Sequence, residues 1–394
     1  MRASADVTWQ VVVAAARVPA EIASEVTRAL PDRQHWPLAQ RWRRGALGAP
    51  EVAPKVAPEV APDPNQAAQV SWLWHRFGGV DSPVTAPYAW RALLPRCGDE
   101  DRAGAAAEPS PRAAQVWFCQ PAHYAFARDH MVLAQLGADR PSRAEADALI
   151  DLAHAPLAAI GARLARAPSG AEYPLWFLLS ERALRIDATS FSAALGRSVV
   201  EVAPAGADAA LWRRALNEIQ IEWHHHPVNE IRRTQGRREI NALWLHGGGA
   251  WQPLPRSRIA SVVDGAAADG VESENETALE CHAALRGWAL AAGVVPSRLL
   301  NVNQTPSAEG DAITLFDDLC EPYALGHWGA WLECWRGLGA QIDDLSARAL
   351  GAGFVVELVL CGQSSLRRVA LRAADRLRFW RRLDLRSLLA EEQQ

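Results

Sequence analysis

The sequence predicts a mixed α/β protein. Short apolar, β-branched runs of strand length alternate with stretches whose apolar residues recur at helical spacing. The chain has 394 residues, 49% hydrophobic and 22% charged, a balance typical of folded globular proteins.

Trp9–Ala16 (WQVVVAAA) reads as a buried strand and Glu21–Leu30 as a helix. Residues 49–64, APEVAPKVAPEVAPDP, place Pro at near-regular intervals and read as an extended spacer. Gly98–Arg112, rich in Ala, Asp, Glu and Pro, reads as a second such patch. Gln115–Cys119 and Met131–Ala134 are expected strands. Ser142–Ala165 is an expected amphipathic helical stretch that Pro156 kinks or splits. Leu175–Leu179 is an apolar strand. Ala209–His225 is a helix with Leu211, Ala215, Ile219 and Trp223 on one face, followed by a strand at Ala242–Leu245. Thr277–Ala292, Trp328–Leu338 and Ile342–Leu350 are expected helices. Phe354–Cys361 and Leu366–Leu371 flank a Gly-Gln-Ser-Ser turn and read as a hairpin. The resulting plan is a strand and helix in 1–48, a Pro/Ala-rich linker in 49–66, and a main α/β domain in 67–394.

The formal net charge of -4 argues against a general nucleic-acid binder. No run approaches the ~20 apolar residues of a membrane span, and the apolar patch 11–16 is too short for a signal peptide. Cys97, Cys119, Cys281, Cys320, Cys334 and Cys361 form no CxxC pair and read as free thiols, so a cytoplasmic location is expected. The 17 Trp residues supply core anchors or stacking surfaces.

The densest group of polar and special residues lies between Leu216 and Gly249. Asn217, Gln220 and His224 share a helix face. Pro227 ends that helix at His226. Asn229 is placed to cap a short helix that Gly236 closes, with Arg232 and Arg233 inside it. Asn241 precedes a strand that ends in Gly247, Gly248 and Gly249. Arginine offers a two-pronged donor for phosphate or carboxylate, and glycines let a ligand approach backbone N–H groups. A small phosphorylated acid suits this chemistry. Each residue also has a plainer reading: a tight turn for the glycines, a turn-fixing contact for Asn241, an ion pair with Glu218 or Glu222 for Arg232, and core packing for Trp244. The run His224–His226 is read as helix-end packing, since consecutive helical residues point in different directions. Without the Lys and Ser/Thr of a phosphate-binding loop, Gly247–Gly249 does not suggest a nucleotide. No base accompanies Ser364 and Ser365, so no serine hydrolase is expected. The basic stretch with Phe379 and Trp380 reads as a solvated face.

The pattern His226-Pro227-Val228-Asn229, Arg232, Gly236, Asn241, Trp244, Gly247, Gly249 resembles a signature of archaeal-type cofactor-independent phosphoglycerate mutases. The wider layout resembles the bacterial RpfE-type regulatory family, through the early strand, residues 115–134, Leu216–Gln220 and Arg378–Arg382. The resemblance implies an α/β sandwich of degenerate alkaline-phosphatase-like form. It implies a ligand element of His226, Asn229, Arg232, Asn241, Gly247 and Gly249. Mutases of that superfamily use a hydroxyl nucleophile and two metals held by Asp and His at strand ends. Here the first strand ends in Ala15-Ala16-Arg17 where the mutases have Asp-Gly. The Asp-Glu-x-Gly-His motif has no counterpart nearer than Asp317-Asp318 and Gly326-His327. The expectation is therefore a regulatory-type protein without catalysis, binding a small phosphorylated acid or a protein partner, with no cofactor, no metal ligand and no assigned catalytic residue. The alternative is a metal-dependent phosphoglycerate mutase-like phosphomutase, which would need Mn²⁺ or Mg²⁺.

Overall fold

A computed structural model describes residues 7–30, 37–47, 65–94, 113–167, 175–264, 276–294, 296–298, 310–363, 365–378, 380 and 383–391. The spacers expected at 49–64 and 98–112 lie outside the described residues. The described strands are β1 (Thr8–Val13), β2 (Ala46–Leu47), β3 (Gln115–Ala127), β4 (His130–Ala134), β5 (Ala162–Arg166) and β6 (Trp176–Ser180). They continue with β7 (Ala242–Gly249), β8 (Ile259–Asp264), β9 (Ser297–Arg298), β10 (Asp311–Phe316), β11 (Val355–Cys361) and β12 (Leu366–Leu371). The protein is of the mixed α/β class that its sequence predicts.

The chain forms two compact units. Unit 1 comprises residues 1–82, 254–273 and 289–394, and unit 2 comprises 83–253 and 274–288. This division cuts across 67–394, which composition treats as one domain.

Unit 1 carries a seven-stranded sheet in the order β2-β12-β11-β1-β10-β8-β9. β11, β1, β10, β8 and β9 run parallel, and β12 runs antiparallel to its two neighbours, β11 and β2. Central parallel strands are covered on both faces, which is why β1 is an almost unbroken apolar run rather than an alternating one. Trp9, Val11 and Val13 pack with Trp331, Trp335, Leu338 and Ile342 of the helix Trp328–Gly351. The sequence divides that helix in two, but apolar residues at three- and four-residue steps continue through 339–341 and keep one face buried. β11 and β12 form the expected hairpin.

Unit 2 carries a five-stranded antiparallel sheet, β4-β3-β6-β5, with β7 also paired to β3. The helices Arg143–Ala158 and Ala209–His224 bury Leu149, Ala153, Leu157, Trp212, Ile219 and Trp223 in its core. Helix 143–158 opens on a reciprocal cap between Ser142 and Glu145 and contains Pro156 in its last turns without being split. The expected helical stretch to Ala165 is too long. Gly161, at φ +72°, turns the chain, and 162–166 pair with β6 as a strand.

Candidate functional site

The element 216–249 belongs to unit 2, and its polar side chains turn inward. Arg232 is fully buried. A guanidinium has five N–H donors, and here all five are engaged. Nε donates to Glu145 Oε1 at 2.9 Å, and Nη1 to the carbonyls of Asp139 and Arg238 at 2.6 and 2.9 Å. Nη2 donates to the carbonyl of Arg140 at 3.1 Å and to Glu145 Oε2 at 3.2 Å. The two-pronged donor that the sequence offers to a phosphate is therefore satisfied by Glu145, not by Glu218 or Glu222. Burial pushes the Glu145 carboxyl up, but hydrogen bonds from Arg232 and from the Ser142 N–H outweigh it, and the pKa lies below its ordinary value.

Asn229 is also fully buried. Its amide donates to the carbonyls of Trp223 and Ile240, both at 2.9 Å, and its carbonyl accepts from the Ile240 N–H at 2.9 Å. It does not cap the short helix Pro227–Thr234. His226 does, through Nδ1 accepting from the Val228 N–H at 3.3 Å, with Pro227 in the first helical position. Asn241 exchanges bonds with the backbone of Tyr124, extending the β3–β7 pairing by one side chain, while Gln220 donates to the Asn241 carbonyl.

The three glycines make room for protein. A Cβ on Gly248 would overlap the Trp117 ring, one on Gly247 the Thr85 hydroxyl, and one on Gly249 would lie 2.8 Å from Val84. The Gly247 carbonyl accepts from both the N–H and the hydroxyl of Thr85. The element thus brings His226, Asn229, Arg232 and Asn241 into one hydrogen-bonded framework, and Gly247–Gly249 into a close-packed strand end. Trp244 is core, with its N–H donated to Thr189 O.

Sequence reasoning missed His246 within the same stretch. Its Nε2 lies 3.2 Å from Glu280 Oε1, and both side chains are buried. The imidazole lies between the rings of Phe118 and Phe191, and ties the helix Glu276–Ala291 to β7. A titratable residue inside the apolar run ALWLH was the available signal.

The other candidate is the carboxyl edge of the unit 1 sheet. In open α/β sheets ligands bind outside the carboxyl ends of the strands, where the chain order reverses. Between β10 and β11 the chain crosses over β1, so the end of β1 is that place. Ala15 there has φ +52°, a conformation glycine adopts without cost. Arg17, 2% exposed, donates from Nε to the Leu388 carbonyl at 3.0 Å and from its two Nη atoms to the Ser365 hydroxyl and the Ala390 carbonyl. Buried Asp317 follows β10, and buried Cys361 ends β11, its thiol pushed up to about 12 by burial despite the pull of Arg17.

A two-metal centre would need several anionic or imidazole donors converging here. Among the described residues no three His, Cys, Asp or Glu side chains do so. A guanidinium held at the end of β1 also disfavours a cation beside it, so the described residues there do not fit the metals. No helix of the described residues is long and apolar enough to cross a membrane.

These features define an open, mainly parallel α/β sheet with a cationic strand end in unit 1, and in unit 2 an antiparallel sheet to which the element 216–249 contributes. The chain is similar to the PH0037 protein from Pyrococcus horikoshii, with 13% identity over 98% of this chain and 92% of that one and a TM-score of 0.49. It is also similar to the cofactor-independent phosphoglycerate mutase from Thermoplasma acidophilum, with 14% identity over 99% and 96% of the two chains and a TM-score of 0.38. No family model matches the chain, and no curated protein does. Neither structural likeness assigns an activity.

Proposed function

We propose that this chain is a non-catalytic, regulatory-type binding protein of RpfE kind, with a small phosphorylated acid as its ligand. The supporting observation is the end of β1, where Ala14-Ala15-Ala16 leads into the buried Arg17 guanidinium. That group favours oxyanions and repels the cations on which metal-assisted phosphoryl transfer depends. The element 216–249 serves as the framework of unit 2, and the ligand binds at the strand ends of unit 1 instead.

Two measurements test the proposal. Pure protein incubated with 3-phosphoglycerate and Mn²⁺ or Mg²⁺ yields no 2-phosphoglycerate. In metal-free buffer, 3-phosphoglycerate raises the melting temperature in a concentration-dependent way. Turnover overturns the proposal in favour of the phosphomutase reading, and a melting temperature indifferent to every phosphorylated acid removes the ligand.

A further inference from the structure

Gly362 follows β11, and the carboxylate of Glu391 occupies the space that a Cβ on this residue would fill. Glu391 Oε1 accepts from the Gln363 N–H at 2.9 Å and from the Ser365 hydroxyl at 3.1 Å. The same hydroxyl oxygen accepts from Arg17. Glu391 is thus an anion held by a backbone N–H, a hydroxyl and, through that hydroxyl, a guanidinium. These are the donors a phosphate or carboxylate ligand would use.

The segment carrying Glu391 is anchored unevenly. Leu385, Leu388 and Leu389 are buried in the unit 1 core. Beyond them the backbone attachment is a bridge between Val18 and Ala390, closed by the Glu391 N–H to the Val18 carbonyl at 2.9 Å. Glu391 itself is half-buried. Releasing Glu391 breaks the bond from its N–H to Val18 and the one from Arg17 to the Ala390 carbonyl, and leaves the three buried leucines in place.

We infer that the hollow beside Gly362 is an oxyanion site occupied by the chain's own Glu391, which a phosphate monoester or small carboxylate displaces. Ser365, the Gln363 N–H and Arg17 receive the ligand. This rests on the reading above that the ligand is a phosphorylated acid, and it adds where that ligand binds and what competes with it.

The test uses the full chain as wild type, Glu391→Ala, Glu391→Gln, and Gly362→Ala combined with Glu391→Ala. Inorganic phosphate, 3-phosphoglycerate and glycerate are titrated at fixed ionic strength by calorimetry and thermal shift. An internal competitor bound nine-tenths of the time weakens a ligand about tenfold. Glu391→Ala is therefore expected to bind 3-phosphoglycerate about tenfold more tightly than wild type. Glu391→Gln, which keeps the volume and removes the charge, is expected to gain in the same direction and covers the case in which the alanine variant is unstable. Adding Gly362→Ala fills the hollow and abolishes the gain. Binding of phosphate but not glycerate assigns the site to the phosphoryl group, and the reverse assigns it to the carboxylate.

Unchanged affinity in both folded Glu391 variants overturns the inference, as does undiminished binding after Gly362→Ala is added. Wild-type affinity retained in both Glu391 variants would leave the proposed function standing without this site. Turnover by the wild type would sink the proposed function without touching the affinity differences.

Discussion

Replacing Arg232 with alanine separates the two readings of the element 216–249. The substitution removes five hydrogen bonds and strands the Glu145 carboxylate with three backbone carbonyls. Taking one partner from a fully buried ion pair costs about 3–5 kcal/mol, and the partial exposure of Glu145 lowers that figure. Arg237 lies 3.5 Å from Glu145 and donates to Arg140 O at 3.2 Å, so it takes over part of the load and sets the expectation near the lower end, about 3 kcal/mol. For a unit of this size that lowers the melting temperature by about 6–12 °C. Arg232→Lys has three donors in place of five and cannot span both carboxylate oxygens, so it falls between wild type and alanine.

The loss also depends on pH. Glu145 has a folded pKa below its ordinary 4.5. Its contribution is therefore complete above the unfolded value and drains away as pH falls through the lower folded value. Arg232→Ala should flatten that acid limb of the stability curve. Thermal and urea melts followed by circular dichroism at pH 3–7 measure both effects. The reasoning is refuted if Arg232→Ala melts with the wild type and loses only its response to 3-phosphoglycerate, because Arg232 would then be a ligand group.

Three further outcomes are expected. Gly248→Ala forces a methyl into the Trp117 ring, and should destabilise unit 2 by about 1–3 kcal/mol, read as a fall in melting temperature against a surface Gly→Ala control. Ala15→Gly relieves a left-handed residue at φ +52°, and should raise stability by about 1 kcal/mol in a urea melt; a loss would mean that the Ala15 methyl packs favourably enough to outweigh the strain. Cys361 is fully buried, with its thiol pushed up to about 12, so a thiol-specific reagent at pH 8 should leave it unlabelled until the protein is unfolded; labelling of the native protein, located by peptide mapping, would show that the strand end opens readily.

Much of the fold was legible because burial leaves periodic traces. β1, the β11–β12 hairpin and the helix 209–224 all announce themselves by apolar runs, alternation or four-residue steps. β5 did not, because ARLAR follows a helix with no break except Gly161, whose left-handed turn has no periodic signature. The element 216–249 stands out in the sequence as the densest group of special residues, but its residue types do not say which way they face. Arginine and asparagine serve a ligand or a backbone equally well, and Glu145, the partner that decides the case for Arg232, is 87 residues away in sequence. The hollow at Gly362 was less visible still. It combines a glycine in a turn, a serine read only as an absent nucleophile, and a glutamate far along the chain, and only the fold brings them together.

The central position of β1 has a consequence for synthesis. Its partner β10 lies 305 residues further along the chain, as the bond from Trp9 to Thr314 records. At about 5–20 residues per second, a ribosome takes about 15–60 s to produce that partner. Unit 2 is almost wholly contained in the interval between them and can fold meanwhile. Throughout that time TWQVVV waits with both edges unpaired, an apolar β-branched segment of the kind that nucleates aggregates. A strand buried in the finished molecule is therefore exposed for long on the nascent chain, and the yield of folded protein should depend on chaperones that shield it.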